Sequence, residues 1–275
     1  MRSVLATVFP SPCAGCGVPL AWRDDALALC PPCRASLRRP LQPACGGCGR
    51  PLLGAWATAR PRCGACRLAP PPWEAMTAAF LYLPPLVGVV RALKFGRAEH
   101  LGAELAAPLG ERCAAWAPGL DLVTAVPLAW TRLLTRGYNQ AEAVARPLAA
   151  GLGVPCRRLL RRRRRRPQAL LARAERRRNL RGAFAPRREV PVGGTVLLVD
   201  DVMTTGATLV AATLALRRAG VARVLVAVVA RTPEASWDEP LTAPAASPGA
   251  CPPASAPQGA FRPRTGELTS PCPRD

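Results

Sequence analysis

Apolar positions in this chain fall into short unbroken runs divided by helical stretches, a pattern that predicts a parallel sheet flanked by helices. Val196 to Val199 is the clearest run, four apolar residues with no polar alternation, as in a strand buried on both faces. Ala75 to Leu83, Leu122 to Val126 and Val221 to Ala230 read as further strands. Helical spacing follows Pro84-Pro85 through Val89, Val90 and Leu93, and resumes from Leu101 through Leu105 and Leu109 toward Trp116. Ala141 to Leu152 and Leu209 to Ala219 complete the helical set, closed by Gly153 and Gly220. The fold class predicted is α/β.

The Val196–Val199 run ends in Asp200 and Asp201, at the carboxyl end of its strand, where open α/β sheets bind ligands. A turn of small residues follows: Thr204, Thr205, Gly206, Ala207 and Thr208. With so little side-chain bulk, its N–H groups can converge on one anion, aided by the helix N-terminus behind it. Threonine hydroxyls add donors for phosphate oxygens, while the two carboxylates suit sugar hydroxyls. Ribose 5-phosphate satisfies both halves. The plainer alternative is a buried strand, a polar helix cap and two surface aspartates. A Walker-type nucleotide site is excluded, because Lys94 is the only lysine and no GxxxxGK[ST] occurs.

The amino-terminal third obeys a different rule. Cys13/Cys16, Cys30/Cys33, Cys45/Cys48 and Cys63/Cys66 form four CxxC pairs, arranged as CxxC-x13-CxxC and then CxxC-x14-CxxC. Each half has the spacing of a four-thiolate zinc site, and the repetition marks an internal duplication. Leu20, Trp22, Leu27, Leu37, Leu52, Leu53 and Trp56 are too few large apolar residues for a core, so metal binding is expected to drive folding. Disulfides or redox-active pairs are the alternative. Spacing leaves open whether each half closes its own site or the pairs interleave. Pro70-Pro71-Pro72 reads as a stiff linker. The predicted units are therefore a cysteine module over 1–69, an α/β domain over 73–231, and a disordered Pro/Ala-rich tail over 232–275.

Charge changes the picture less than its size suggests. The formal +21 is carried almost entirely by arginine, alongside heavy Ala, Pro and Gly use, so composition bias dilutes the usual inference of a nucleic-acid partner. Arg161 to Arg166 is an unbroken block, expected to be a solvated loop serving either as a flap over a polyanion or as a nucleic-acid contact. Arg132 and Arg136, after the Leu122–Val126 strand, can hold a pyrophosphate or simply face solvent. No apolar stretch approaches the roughly 20 residues of a membrane span, and MRSVLATVF is too short for a signal peptide, so a cytoplasmic protein is expected.

VLLVDDVMTTGAT resembles the phosphoribosyl pyrophosphate (PRPP) signature of type I phosphoribosyltransferases. VPLAWTRLLTRGYNQ and PQALLARAERRRNLRGAF, behind the cysteine pairs, further resemble the ComF family, in which a zinc ribbon precedes a phosphoribosyltransferase domain. That resemblance implies PRPP or a related ribose phosphate as ligand, with Mg²⁺, and structural Zn²⁺ on the eight paired cysteines. Asp200 and Asp201 would be catalytic, with Thr204, Thr205, Gly206, Ala207, Thr208, Arg132 and Arg136 binding PRPP. Pentosyl transfer is the implied chemistry. ComF proteins are associated with DNA uptake, so a non-catalytic competence protein binding single-stranded DNA or a partner is the alternative. Sequence leaves the acceptor and the oligomeric state open.

Overall fold

Four parallel strands form the sheet that the apolar runs predict. The computed structural model describes residues 11–20, 26–53, 61–96, 98–163, 182–187, 190–234 and 237. Short helices α1 (Pro31–Ala35) and α2 (Gly64–Leu68) lie in the cysteine module. The domain then runs β1 (Ala75–Leu81), α3 (Leu86–Phe95), α4 (Leu101–Cys113), β2 (Leu122–Ala125), α5 (Trp130–Arg136) and α6 (Gln140–Gly151). It continues with β3 (Leu160–Arg162), β4 (Phe184–Pro186), β5 (Thr195–Met203), α7 (Ala207–Arg218) and β6 (Arg223–Arg231). The sheet order is β1-β6-β5-β2, and β3 pairs antiparallel with β4 beside it.

Strand alternation divides the core into two layers. Leu197 and Val199 of β5, with Leu225, Ala227 and Val229 of β6, pack against α3, α4 and α6. Val196 and Leu198, with Val224, Val226 and Val228, pack against α7 and the β3–β4 hairpin. Because both faces are covered, the central strands carry no polar alternation, which accounts for the unbroken runs. β5 continues past Val199 to Met203, so both aspartates still lie on the strand.

The cysteine module is not a separate bead. Leu20, Leu27 and Leu29 are buried in the same apolar cluster as Val89, Val90 and Leu93 of α3. The few leucines that cannot make a core of their own therefore borrow the domain's. Contact is closest at Gly88, where an added Cβ would stand 1.7 Å from the Ala14 carbonyl oxygen. Trp22 and Trp56 lie outside the described residues.

The arginine block departs from expectation at its start. Arg161 and Arg162 belong to β3, paired with Ala185 and Phe184, because Leu159 and Leu160 beside them are buried and fix the hairpin. Arg163 follows the strand, its N–H donating to the Ala183 carbonyl at 2.9 Å, while residues 164–166 of the block, the family-like positions Gln168 to Asn179, and residues 235, 236 and 238–275 of the expected tail lie outside the described residues. Of that tail, Trp237 is buried against Arg231.

A side chain at Gly88 has no room, so Gly88→Ala is expected to cost about 1–3 kcal/mol through overpacking. Thermal melting should register a drop of several degrees, and easier proteolysis of the module should accompany it. A melting temperature equal to the wild type's would show that the module does not rest on α3.

Candidate functional site

The two aspartates are neighbours on one strand, so alternation sends them toward opposite layers. Asp201 takes the layer of Leu197 and Val199, where Lys94 at the end of α3 reaches it, Nζ to Oδ2 at 3.0 Å. Asp200 takes the layer of Val196 and Leu198, on which the β3–β4 hairpin packs, and its ionised form is favoured by Lys94 and, less strongly, by the Arg162 guanidinium of β3. Of the two acids, Asp201 alone makes an ion pair among the described residues. The Asp201 N–H also donates to Asp200 Oδ1 at 2.9 Å, and the Val202 N–H to Asp201 Oδ1 at 2.6 Å. These bonds curl both side chains along the strand end.

Burial, and then the Asp201 charge, push the Asp200 carboxyl up to about 8, against the weaker lowering of the Asp201 N–H, Lys94 and Arg162. The Arg162 proton is in turn held less tightly than usual, first through burial and then through the charge of nearby Arg132.

Met203 ends the strand and the chain turns sharply to start α7. Gly206 makes that turn with φ +75°, and an added Cβ would meet the Met203 methyl at 2.8 Å and the Trp73 ring at 3.5 Å. Glycine is required on both counts. One side of the turn is therefore packed against protein, while Thr204 and Thr205 on the other are exposed. Among the described residues, the N–H groups of Thr205, Gly206 and Thr208 donate to no backbone carbonyl. They stand at the N-terminus of a twelve-residue helix whose dipole favours negative charge there.

The TRGYNQ stretch turns out to be mostly scaffolding for its neighbours. Gly137, at φ +80°, ends α5, and the Asn139 side chain caps α6 by accepting from the Ala141 N–H. Tyr138 donates its hydroxyl to the Leu93 carbonyl, tying this loop to the turn of α3 that carries Lys94. Buried Gln140 accepts from Arg136 Nη1 at 2.9 Å, and the guanidinium lies 4.9 Å from the Phe95 ring centroid. Arg136 is thus held in one orientation, whereas Arg132 is exposed. A cavity of about 550 Å³ opens beside them, lined in part by Pro127, Trp130, Tyr138, Arg161 and Arg162.

In the sequence Lys94 stands out only as the sole lysine, with no role assigned, and Arg162 only as one member of a charge block. The sole lysine of an arginine-rich chain is the one signal that pointed to the first. For Arg162 the two apolar residues preceding the block, Leu159 and Leu160, were the available hint of a strand.

The eight paired cysteines form two groups, and each half closes its own. Cys13, Cys16, Cys30 and Cys33 make one, and Cys45, Cys48, Cys63 and Cys66 the other, with the sulfurs of each group all within 4.8 Å of one another. The N–H groups of Gly15 and Cys30 point at Cys13 Sγ, and those of Gly47 and Cys63 at Cys45 Sγ. Burial pushes the Cys13 thiol up, yet these backbone donors prevail and bring it down to about 6. Cys48 Sγ does most to lower the Cys45 thiol, to about 4, with help from backbone N–H groups and against burial. Four converging sulfurs with N–H donors aimed at them are the donor set of a structural zinc site.

A double zinc ribbon domain model matches residues 4–67, and a phosphoribosyl transferase domain model matches residues 133–242. The DNA utilization protein YhgH of Salmonella typhi is 36% identical over 234 residues, which cover 81% of this chain and 98% of that protein. The protein of the same name from Escherichia coli (strain K12) is 34% identical over 234 residues, with the same 81% and 98% coverage. Competence protein F of Haemophilus influenzae is 33% identical over 213 residues, 74% of this chain and 90% of that one. Among the described residues, no helix is long and apolar enough to cross a membrane.

The raised Asp200 carboxyl has a consequence for stability. The folded chain keeps a proton there that the unfolded chain releases near pH 4. Stability from this group is therefore complete below about pH 4 and is lost as pH rises toward about 8. Asp200→Asn, which keeps the shape without the charge, should melt about 2–4 °C above the wild type at pH 8 for each kcal/mol relieved, and near it at pH 4. Melting curves of both proteins at the two pH values would check this. A variant less stable at pH 8 would contradict it.

Proposed function

This chain belongs to the ComF family, a double zinc ribbon joined to a phosphoribosyltransferase domain, and on that premise we propose that it binds PRPP or a related ribose phosphate together with Mg²⁺. The observation that carries the reading is the β5–α7 junction: a carboxylate pair on the strand end, followed by a glycine turn with unspent N–H groups and exposed threonines.

In this reading the 5-phosphate rests on Thr204 to Thr208, gripped by backbone N–H groups and by the Thr204 and Thr205 hydroxyls. Asp200 and Asp201 accept from the ribose hydroxyls. A diphosphate on C1 extends toward Arg132 and Arg136, of which Arg136 is pre-aimed by Gln140 and Phe95. Lys94 and Arg162 offset the carboxylate charge while the site is empty and supply positive charge to the departing diphosphate. When that bond breaks, positive charge develops on the ribose ring, and Asp201, joined by Asp200 once it gives up its proton, stabilises it where it forms. No covalent nucleophile is needed; positioning and electrostatics are the protein's share.

The donor set suits magnesium held largely through ligand oxygens. Among the described residues no cluster of three or more carboxylates forms a protein cage for a cation, and the two acids present are neighbours on one strand. When bound, Mg²⁺ would neutralise diphosphate charge. No described side chain marks a particular acceptor base, so pentosyl transfer is proposed as a reaction class without a named acceptor.

The relatives' names speak of DNA utilization and competence. The corresponding reading here, single-stranded DNA held by the arginines without catalysis, calls for binding that falls steeply with salt and ignores PRPP. Nothing at the β5–α7 junction favours it.

Calorimetric titration of PRPP with Mg²⁺ tests the proposal. Replacing both acids, Asp200→Asn with Asp201→Asn, should weaken binding by about a hundredfold or more, since a hydrogen bond to a charged group is worth about 1.5–3 kcal/mol. Unchanged affinity would refute the assignment. Pyrophosphate release in the presence of a panel of bases then decides whether the bound ligand turns over.

A further inference from the structure

Arg231, the last residue of β6, is the least exposed charged side chain among the described residues, at 1%. A guanidinium that leaves water needs its donors matched, because an uncompensated buried charge costs several kcal/mol. Its partners come from three places. Nε donates to the Cys48 carbonyl at 2.9 Å. Nη1 donates to the Thr204 carbonyl at 2.8 Å, close to that of Met203, and to the Thr232 carbonyl. Nη2 pairs with Glu234, and the Trp237 ring centroid lies 5.2 Å from the guanidinium carbon. One planar fork therefore joins the second cysteine knuckle to the backbone of the phosphate turn.

The knuckle is gripped at two further points. The Met76 N–H donates to the Gly46 carbonyl at 2.8 Å, and Trp73 Nε1 to the Gly47 carbonyl at 2.8 Å. Three consecutive carbonyls, those of Gly46, Gly47 and Cys48, are thus each held by the α/β domain. Two of the three holders also touch the turn: Arg231 through the Thr204 carbonyl, and Trp73 through its packing behind Gly206.

We propose that Arg231 is a positioning residue through which the second four-cysteine site sets the shape of the phosphate turn, so that metal in that site and a sugar phosphate on the turn strengthen one another. The proposal rests on reading Thr204 to Thr208 as the ribose-phosphate cradle. Its physical basis is that the knuckle keeps its carbonyls in place only while its four sulfurs converge on one ion. When the knuckle loosens, the Arg231 fork loses its Nε anchor and the turn loses the donor that fixes the Thr204 carbonyl. The first cysteine site reaches α3 through Ala14 and Gly88 and has no such link to the turn among the described residues.

Reciprocity supplies the test, since two ligands that help each other must do so equally in both directions. Zinc affinity is measured at equilibrium against a competing chelator in the full chain, with and without ribose 5-phosphate, alongside amide hydrogen exchange over 203–208. In the wild type, ribose 5-phosphate should raise the affinity for one of the two ions by about tenfold, a typical coupling. Arg231→Lys keeps the charge but lacks the fork. It should bind zinc as the wild type does, exchange faster over 203–208 but not over β2, and lose the gain from ribose 5-phosphate. Cys48→Ser should weaken ribose 5-phosphate binding, and by more than Cys16→Ser, whose ribbon meets α3 rather than the turn. Should Arg231→Lys not fold, the wild-type zinc affinities decide alone. Equal affinity for both ions with and without bound ribose 5-phosphate overturns the inference. A wild type that does not bind ribose 5-phosphate refutes the ligand assignment instead, and exchange over 203–208 still decides whether Arg231 joins knuckle and turn.

Discussion

Two carboxylates at the end of an apolar strand are the constraint around which this molecule is arranged. Asp200 and Asp201 sit where β5 leaves a sheet whose faces are both covered, so charge there is costly unless opposed. Alternation along the strand splits the problem between two layers. Lys94 of α3 pairs with Asp201 and, ahead of Arg162 of β3, also favours the ionised form of Asp200. Neither base is near the acids in sequence, and each arrives because its own element packs on the matching face. The remaining imbalance is visible in Asp200, whose carboxyl is held well above the ordinary range. A site whose acid keeps its proton for want of a matching charge, next to unspent N–H groups, is poised for a ligand that brings both hydroxyls and phosphate.

The zinc ribbons contribute more than a decoration on the amino terminus. Their leucines enter the domain's core, their closest approach fills the space over Gly88, and the second knuckle backs the phosphate turn through Trp73 and Arg231. Such a module cannot be assigned its own stability apart from the domain it leans on. Metal binding and domain packing are parts of one folding equilibrium.

How much of this could be read from the chain follows from the range of each interaction. The strand, the acids and the Thr-Gly turn are contiguous, so Val196 to Thr208 announced itself. The cysteine spacing did the same for both metal groups, although spacing alone could not exclude interleaved pairs, which the structure replaces with one group per half. Helix ends were legible where glycine or a cap marked them, as at Gly153 and Gly220. What stayed hidden depends on contacts across the sheet. Lys94 lies more than a hundred residues before its carboxylate, and Arg231 reaches back to Cys48 across the whole domain. Arg162 was obscured differently, because a block of like charges reads as solvated loop, whereas Leu159 and Leu160 pull its first two members into a hairpin. The tyrosine, asparagine and glutamine after Gly137 carried a family signature, yet only coordinates reveal that they brace α3, α6 and Arg136.

Whether a sugar phosphate occupies the junction of β5 and α7 can be read from the backbone amide shifts of isotopically labelled protein as ribose 5-phosphate is added. Saturable shifts concentrated at Thr205, Gly206 and Thr208 are expected, where unspent N–H groups take up phosphate oxygens. Shifts confined to the exposed arginines of α5 and β3, with the junction amides unmoved, would contradict that occupancy.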